Sequence, residues 1–141
     1  MNSSKVNPSL LNIFSSVPNL KNLLPQVKRR RVFIEGFYNV EVNKALIEEF
    51  FNKLAETLSM TPITKPLIFS PDIKGHPIHR GLAGYMGWVE SGVSLYTWQT
   101  FNFFTIDIYT CKDFNLEDAL KVVRKFLNPS SMVYGEFLYE N

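Results

Sequence analysis

A chain of 141 residues with 45% hydrophobic and 20% charged residues holds enough material for one globular domain with a real core. A formal net charge of +2 makes no case for nucleic acid or an anionic membrane, and a single cysteine excludes an internal disulfide. No apolar run is long enough to cross a bilayer, and the start lacks the charged-then-apolar pattern of a signal peptide, so a cytoplasmic protein is the default expectation.

Residues 1–30 read as an extension, loosely ordered or docked, ahead of a domain spanning 31–141. The extension is rich in Ser, Asn, Leu and Pro. Leu10, Leu11 and Phe14, then Leu20, Leu23 and Leu24, form two short apolar helical turns, each ended by a proline. A docked or loose segment is the plain reading and a partner-binding arm the sharper one. Lys28-Arg29-Arg30-Arg31 follows, a basic run expected to be a solvated boundary or, alternatively, a phosphate contact.

From Val32 to Tyr38 the pattern is that of a first strand. Asn43 caps a helix whose apolar stripe is Leu46, Phe50, Leu54 and Leu58, stopped by Thr61-Pro62. Ile63–Phe69 predicts a second strand at an edge, because Pro66 interrupts it. Ser70–Gly81 is a loop holding His76 and His79. That pair invites a metal, but no third ligand of matched type stands nearby, and the expectation is exposed histidines without a metal. Leu82–Val89 is a third strand, with Gly81, Gly84 and Gly87 at every third position implying the close approach of another backbone or a bulge.

Glu90–Trp98 and Phe103–Cys111 then read as neighbouring strands. In the second, Phe104, Ile106 and Ile108 share one face, and Phe103, Thr105, Asp107, Tyr109 and Cys111 share the other. Asn115 caps a second helix with Leu116, Ala119, Leu120, Val123, Phe126 and Leu127 as its buried stripe, and Met132–Tyr139 closes the chain. The order β-α-β-β-β-β-α-β predicts an α+β two-layer sandwich, a mainly antiparallel sheet with two helices on one face. The other face stays free for a ligand or a second subunit.

Gly81-Leu82-Ala83-Gly84, Glu90-Ser91, Leu95-Tyr96-Thr97-Trp98 and Ile106–Cys111 together resemble the short prokaryotic S-adenosylmethionine decarboxylases, across residues 31–141. The resemblance implies cleavage of the chain between Glu90 and Ser91. The serine hydroxyl attacks the preceding carbonyl, the amide becomes an ester, and elimination leaves a pyruvoyl group at Ser91. That group is the implied cofactor, an electron sink for decarboxylating S-adenosylmethionine, whose product feeds spermidine synthesis. Cys111 is implied as the general acid. Glu35, in a stretch similar to the family's first strand, is implied in substrate binding. Members of this short type dimerise and build their sites across the interface.

Three positions depart from the family pattern. Tyr96 stands where a histidine handles the Cα proton during processing, and a phenol is an inferior base at neutral pH. Ala83 replaces a serine whose hydroxyl assists cleavage. Thr100 replaces the acid that grips the substrate ribose, and Gln99 stands where proline is usual. Losing one such donor costs on the order of 10²–10³ in rate, and losing the proton-handling group a further ~10²–10⁴. Impaired self-processing is therefore expected, unless His76 or His79 replaces the missing base. Two other classes compete: a non-catalytic homologue pairing with itself or with an active paralogue, and a pyruvoyl decarboxylase of another amino acid. An RNA-binding sheet displaying Phe101, Phe103 and Tyr109 ranks behind these, because that run lacks the glycines and basic residue of such platforms.

Overall fold

The alternation that marks Phe103–Thr110 as a strand organises the sheet around it. Phe104, Ile106 and Ile108 are all but fully buried, each such side chain contributing about 1.5–3 kcal/mol by leaving water. The computed structural model describes residues 14–16, 20–71 and 75–140. In chain order its elements are β1 (Phe14–Ser16), β2 (Leu20–Lys21), β3 (Arg30–Phe37), α1 (Lys44–Thr57), β4 (Leu67–Phe69), β5 (Ala83–Trp88), β6 (Ser91–Trp98), β7 (Phe103–Thr110), α2 (Leu116–Leu127), β8 (Ser131–Phe137) and β9 (Tyr139–Glu140). The main sheet runs β1-β8-β3-β7-β6-β5-β4, and β2 pairs with β9 beside it. From β8 to β4 every pairing is antiparallel, the expected α+β sandwich; β1 joins β8 in parallel.

Both helices begin as the sequence dictates. The Asn43 side chain accepts from the Leu46 N–H at 2.8 Å and Asn115 from the Asp118 N–H at 3.1 Å, satisfying amides the first turn leaves open. Ile47, Phe50, Phe51 and Leu54 of α1 and Ala119, Leu120 and Val123 of α2 bury themselves on the sheet. A Cβ at Gly84 would lie 2.6 Å from the Phe51 ring, so this glycine is what lets α1 sit so close. The close approach read from the sequence is thus a helix side chain at Gly84 and, at Gly81, the backbone carbonyl of Thr97.

Several expectations are corrected. Leu10 and Leu11 lie outside the described residues, but Phe14–Ser16 and Leu20–Lys21 are short strands, not helical turns. Their carbonyls and amides pair with the end of the chain, a partner no local pattern announces. Helix α1 ends at Thr57, with Ser59 turning at φ 57°, before Pro62 is reached. The strand expected over Ile63–Phe69 is only Leu67–Phe69, because Pro66 cannot donate to a ladder. The last strand breaks at Leu138, separating β8 from β9.

The basic run keeps Lys28 and Arg31 exposed, as a solvated boundary would, but each of its cations has a partner. Lys28 pairs with Asp113 and, by that hydrogen bond first, holds its carboxyl below the usual range. The Arg30 guanidinium meets Glu136 and the Phe114 carbonyl, each at 2.5 Å. Arg31 lies 4.0 Å over the Tyr109 ring and donates to the Tyr139 hydroxyl at 2.8 Å, while Arg29 stacks on Tyr139 at 4.5 Å. The four cations fasten the start of β3 to the α2 entry and the C-terminal strands.

Candidate functional site

Cross-strand register places every candidate residue. Val89 and Glu90 form a two-residue turn between β5 and β6, and Ser91 pairs with both Trp88 and Thr110. Tight hairpins of this kind normally put positive φ on the turn residues themselves, usually glycine or asparagine. Here the positive φ falls on Ser91, at 131°. The other described non-glycine residues with positive φ, Ser59, Asn102 and Asn128, lie at 42–57°, in the ordinary left-handed well. A side chain held at such an angle costs about 1–3 kcal/mol, and it falls on the residue after the candidate scissile bond.

The turn is gripped on both sides. The Cys111 N–H donates to the Glu90 carbonyl oxygen at 2.8 Å. The Glu90 carboxylate accepts from the Thr61 N–H at 2.8 Å and from its hydroxyl at 3.1 Å. The Thr61 amide, foremost, holds that carboxyl below its usual range, helped by the charge of Lys112. A donor on the Glu90 carbonyl polarises the bond toward attack and would stabilise negative charge developing on that oxygen. Trp88 beneath the turn is buried, and its indole N–H finds no hydrogen-bond partner among the described residues. Cys111 itself lies just past the end of β7 and is exposed, not the small buried hydrophobe a strand end could have made it.

The other candidates stand elsewhere. Tyr96 lies five residues along β6 from Ser91, roughly 17 Å at strand spacing. It pairs directly with Ala83, on the sheet face turned away from the helices. Glu35 is on that same face and in the same cross-strand row, with Thr105 between it and Tyr96, at about 10 Å. Thr100 is farther still, in the β6–β7 turn, its hydroxyl donating to the Pro77 carbonyl at 2.6 Å. That bond fastens the histidine loop to the Thr100 end. His76 Nδ1 accepts from the Ile78 and His79 amides, and the two rings stand 4.3 Å apart. Among the described residues no group of three metal-binding side chains forms. Neither histidine stands beside Ser91 of its own chain. Gly81, Leu82, Thr97, Gln99 and Asn102 line part of a cavity of about 340 Å³ at this same end.

A family model described as S-adenosylmethionine decarboxylase matches residues 36–138, most of the chain. The chain belongs to the S-adenosylmethionine decarboxylase family. An S-adenosylmethionine decarboxylase proenzyme of Methanococcus aeolicus is 36% identical over 52 residues, which is 36% of this chain and 44% of that protein. One from Picrophilus torridus is 27% identical over 106 residues, covering 67% and 82%. The crystal structure of the adenosylmethionine decarboxylase from Aquifex aeolicus superposes with a TM-score of 0.61 at 19% identity, over 78% of this chain and 88% of that one, a likeness of fold.

Within that family frame, the structure brings Glu90, Ser91 and Cys111 together. It sets Ala83, Tyr96 and Thr100 apart from them, with Glu35 on the open face in the row of Ala83 and Tyr96. Sequence reasoning missed Thr61, read only as part of a helix stop. Its signal was faint: a threonine one turn past a helix end has many uses. No helix among the described residues is long and apolar enough to cross a membrane.

Proposed function

We propose that this chain is a pyruvoyl-type decarboxylase scaffold in which Ser91 is the pyruvoyl precursor, and that it processes itself poorly. The observation that carries the reading is the Glu90–Ser91 turn, with its serine at a strained angle and its carbonyl bonded to the Cys111 amide. The residues present suit formation of the group: a hydroxyl follows the carbonyl, and a fixed donor polarises it. Once formed, the pyruvoyl carbonyl supplies an electron sink for loss of CO₂ from an amine-bearing substrate, S-adenosylmethionine by kinship. Cys111 is the proton donor beside it, and Glu35 a substrate contact on the open face, in the row of Tyr96.

Impairment follows from the chemistry of the residues at two positions. Ala83 offers no hydroxyl, Tyr96 no imidazole, and both stand roughly 17 Å along the sheet from the serine they would serve. By kinship, a second copy laid on the open face supplies these positions to its neighbour's site. That face exposes Phe37, Leu67, Phe69, Tyr85, Tyr96 and Val133, a larger apolar surface than a lone subunit keeps in water. In a homodimer both composite sites lack the processing groups. The same separation favours a second reading, in which the chain serves an active paralogue as a heterodimer partner. Thr100, tied to the loop instead of offering a carboxylate, leaves room for a substrate other than S-adenosylmethionine.

Intact-mass measurement tests the reading. The purified chain should run mainly at full mass, with any split falling before Ser91. Complete conversion to two fragments overturns the impairment. Failure of the Ala83→Ser/Tyr96→His chain to cut at Ser91 overturns the pyruvoyl assignment.

A further inference from the structure

The Glu90 side chain is held at two points by one residue, 29 positions earlier, from a different part of the fold. Thr61 sits in the connection after α1, beside Pro62, which bridges to Trp88 on β5. The Val89 amide also donates to the Thr61 carbonyl at 2.8 Å. Thr61 therefore grips the turn from both sides of the peptide: its carbonyl holds Val89, and its amide and hydroxyl hold Glu90. On the far side the Cys111 amide fixes the Glu90 carbonyl. With residues 89 and 90 pinned and Ser91 locked in register to Trp88 and Thr110, the rotation that closes the turn is left to Ser91, where φ reaches 131°.

We propose that Thr61 is a positioning residue for chain scission: by clamping Val89 and the Glu90 carboxylate it holds the Glu90–Ser91 peptide in the wound, carbonyl-polarised geometry from which the serine attacks. The inference rests on the processing reading above. The step it serves is an acyl shift. A bond forms from Ser91 Oγ to the Glu90 carbonyl carbon, the Glu90–Ser91 C–N bond breaks, and the hydroxyl proton ends on the freed amine, giving an ester with no other reactant. Thr61 touches none of the reacting atoms. It sets the angle at which they meet, and an error of about 1 Å in such geometry costs on the order of 10²-fold.

The test uses two backgrounds. In the parent chain, NMR titration of Glu90 should show its carboxyl below the ordinary range; Thr61→Val, which removes the hydroxyl and keeps the amide, should raise it part of the way back and relax the Ser91 backbone coupling. In the Ala83→Ser/Tyr96→His chain, Thr61→Val should slow cleavage at Ser91 at least 10-fold, while Thr61→Ser, which keeps the hydroxyl, stays within about 3-fold. Melting temperatures of the two variants separate loss of fold from loss of geometry. An unmoved Glu90 titration in Thr61→Val overturns the clamp. Equal cleavage in all three chains, or equal slowing by Val and Ser, overturns the positioning role. If the Ala83→Ser/Tyr96→His chain never cuts while the Glu90 titration moves as expected, the processing reading fails and Thr61 is reduced to a turn clamp.

Discussion

The Ser91 end of β6 is over-determined: the turn carries hydrogen bonds from Thr61 and Cys111, a left-over strain at one serine, and a buried tryptophan beneath. At the other end, Tyr96 is exposed and stacks loosely on Trp98 at 6.2 Å, and Thr100 is spent on fastening a loop. On the function proposed above, one strand joins a region held in the geometry of chain scission to a region lacking the groups that would assist it. Strain at a fixed φ persists only where the surroundings enforce it; the first end has such enforcing contacts, while alanine and tyrosine at the second sit in an undisturbed sheet. The alanine at 83 and the tyrosine at 96 fit a pleated sheet as well as serine and histidine do, and the fold does not register their loss.

The sharpest way to break this contrast is to ask whether the two ends work on each other in trans. A chain carrying Ala83→Ser, Tyr96→His and Ser91→Ala has a restored donor end and a dead cleavage end. Coexpressed with the parent under separate tags, it should raise cleavage of the parent chain by about 10³-fold or more, the combined worth of the hydroxyl and the imidazole. Mass spectrometry of each tagged chain reads the result. Cleavage that appears only when the restored groups share a chain with Ser91 would break the picture of swapped halves.

Much of the Ser91 end was legible because local chemistry encodes it. Alternation marked β7 and hence the faces of Asp107 and Tyr109, the caps at Asn43 and Asn115 marked both helices, and the candidate cleavage point came from the family resemblance carried by the Glu-Ser pair and a cysteine twenty residues on. What escaped was long-range. The angle at Ser91 arises because neither Val89 nor Glu90 takes the turn's positive φ, a choice made by contacts rather than composition. Thr61 and Glu90 are far apart in sequence, and nothing near Lys28–Arg31 discloses Asp113 and Glu136 as their partners. Phe101 illustrates a different failure: it lies in the β6–β7 turn, so it does not share a sheet face with Phe103 and Tyr109 as a base-stacking platform requires.

A second prediction asks how far the firm end depends on the cationic clasp. Arg30 pairs in register with Thr110, the residue that also pairs with Ser91, and its half-buried guanidinium binds Glu136 and Phe114. Arg30→Ala leaves the Glu136 carboxylate without its partner and should cost roughly 2 kcal/mol, or about 6 °C in melting temperature. Thr100→Ala, at the slack end, removes one exposed hydrogen bond and should cost below about 1 kcal/mol. Calorimetry on both variants ranks the ends; equal losses would erase the distinction in stability, though not in chemistry.

The smallest effect lies between the ends, on the open face. Asp107 pairs with Ser94 on one side and Phe33 on the other, and no basic side chain forms an ion pair with it among the described residues. Desolvation by the sheet face raises its carboxyl above the ordinary 3.8. The folded chain then holds the proton more tightly than the unfolded one, so stability falls as pH rises from the ordinary value through the raised one and is level above it. Asp107→Asn removes the charged form. It should leave the melting temperature unchanged at acid pH and raise it slightly at neutral pH, by less than about 0.5 kcal/mol because solvent still reaches the side chain. If a second copy covers this face, desolvation deepens and the gain at neutral pH grows with protein concentration. A gain independent of concentration, in a chain shown to dimerise, would place the interface somewhere other than this face and separate the two ends of β6 for good.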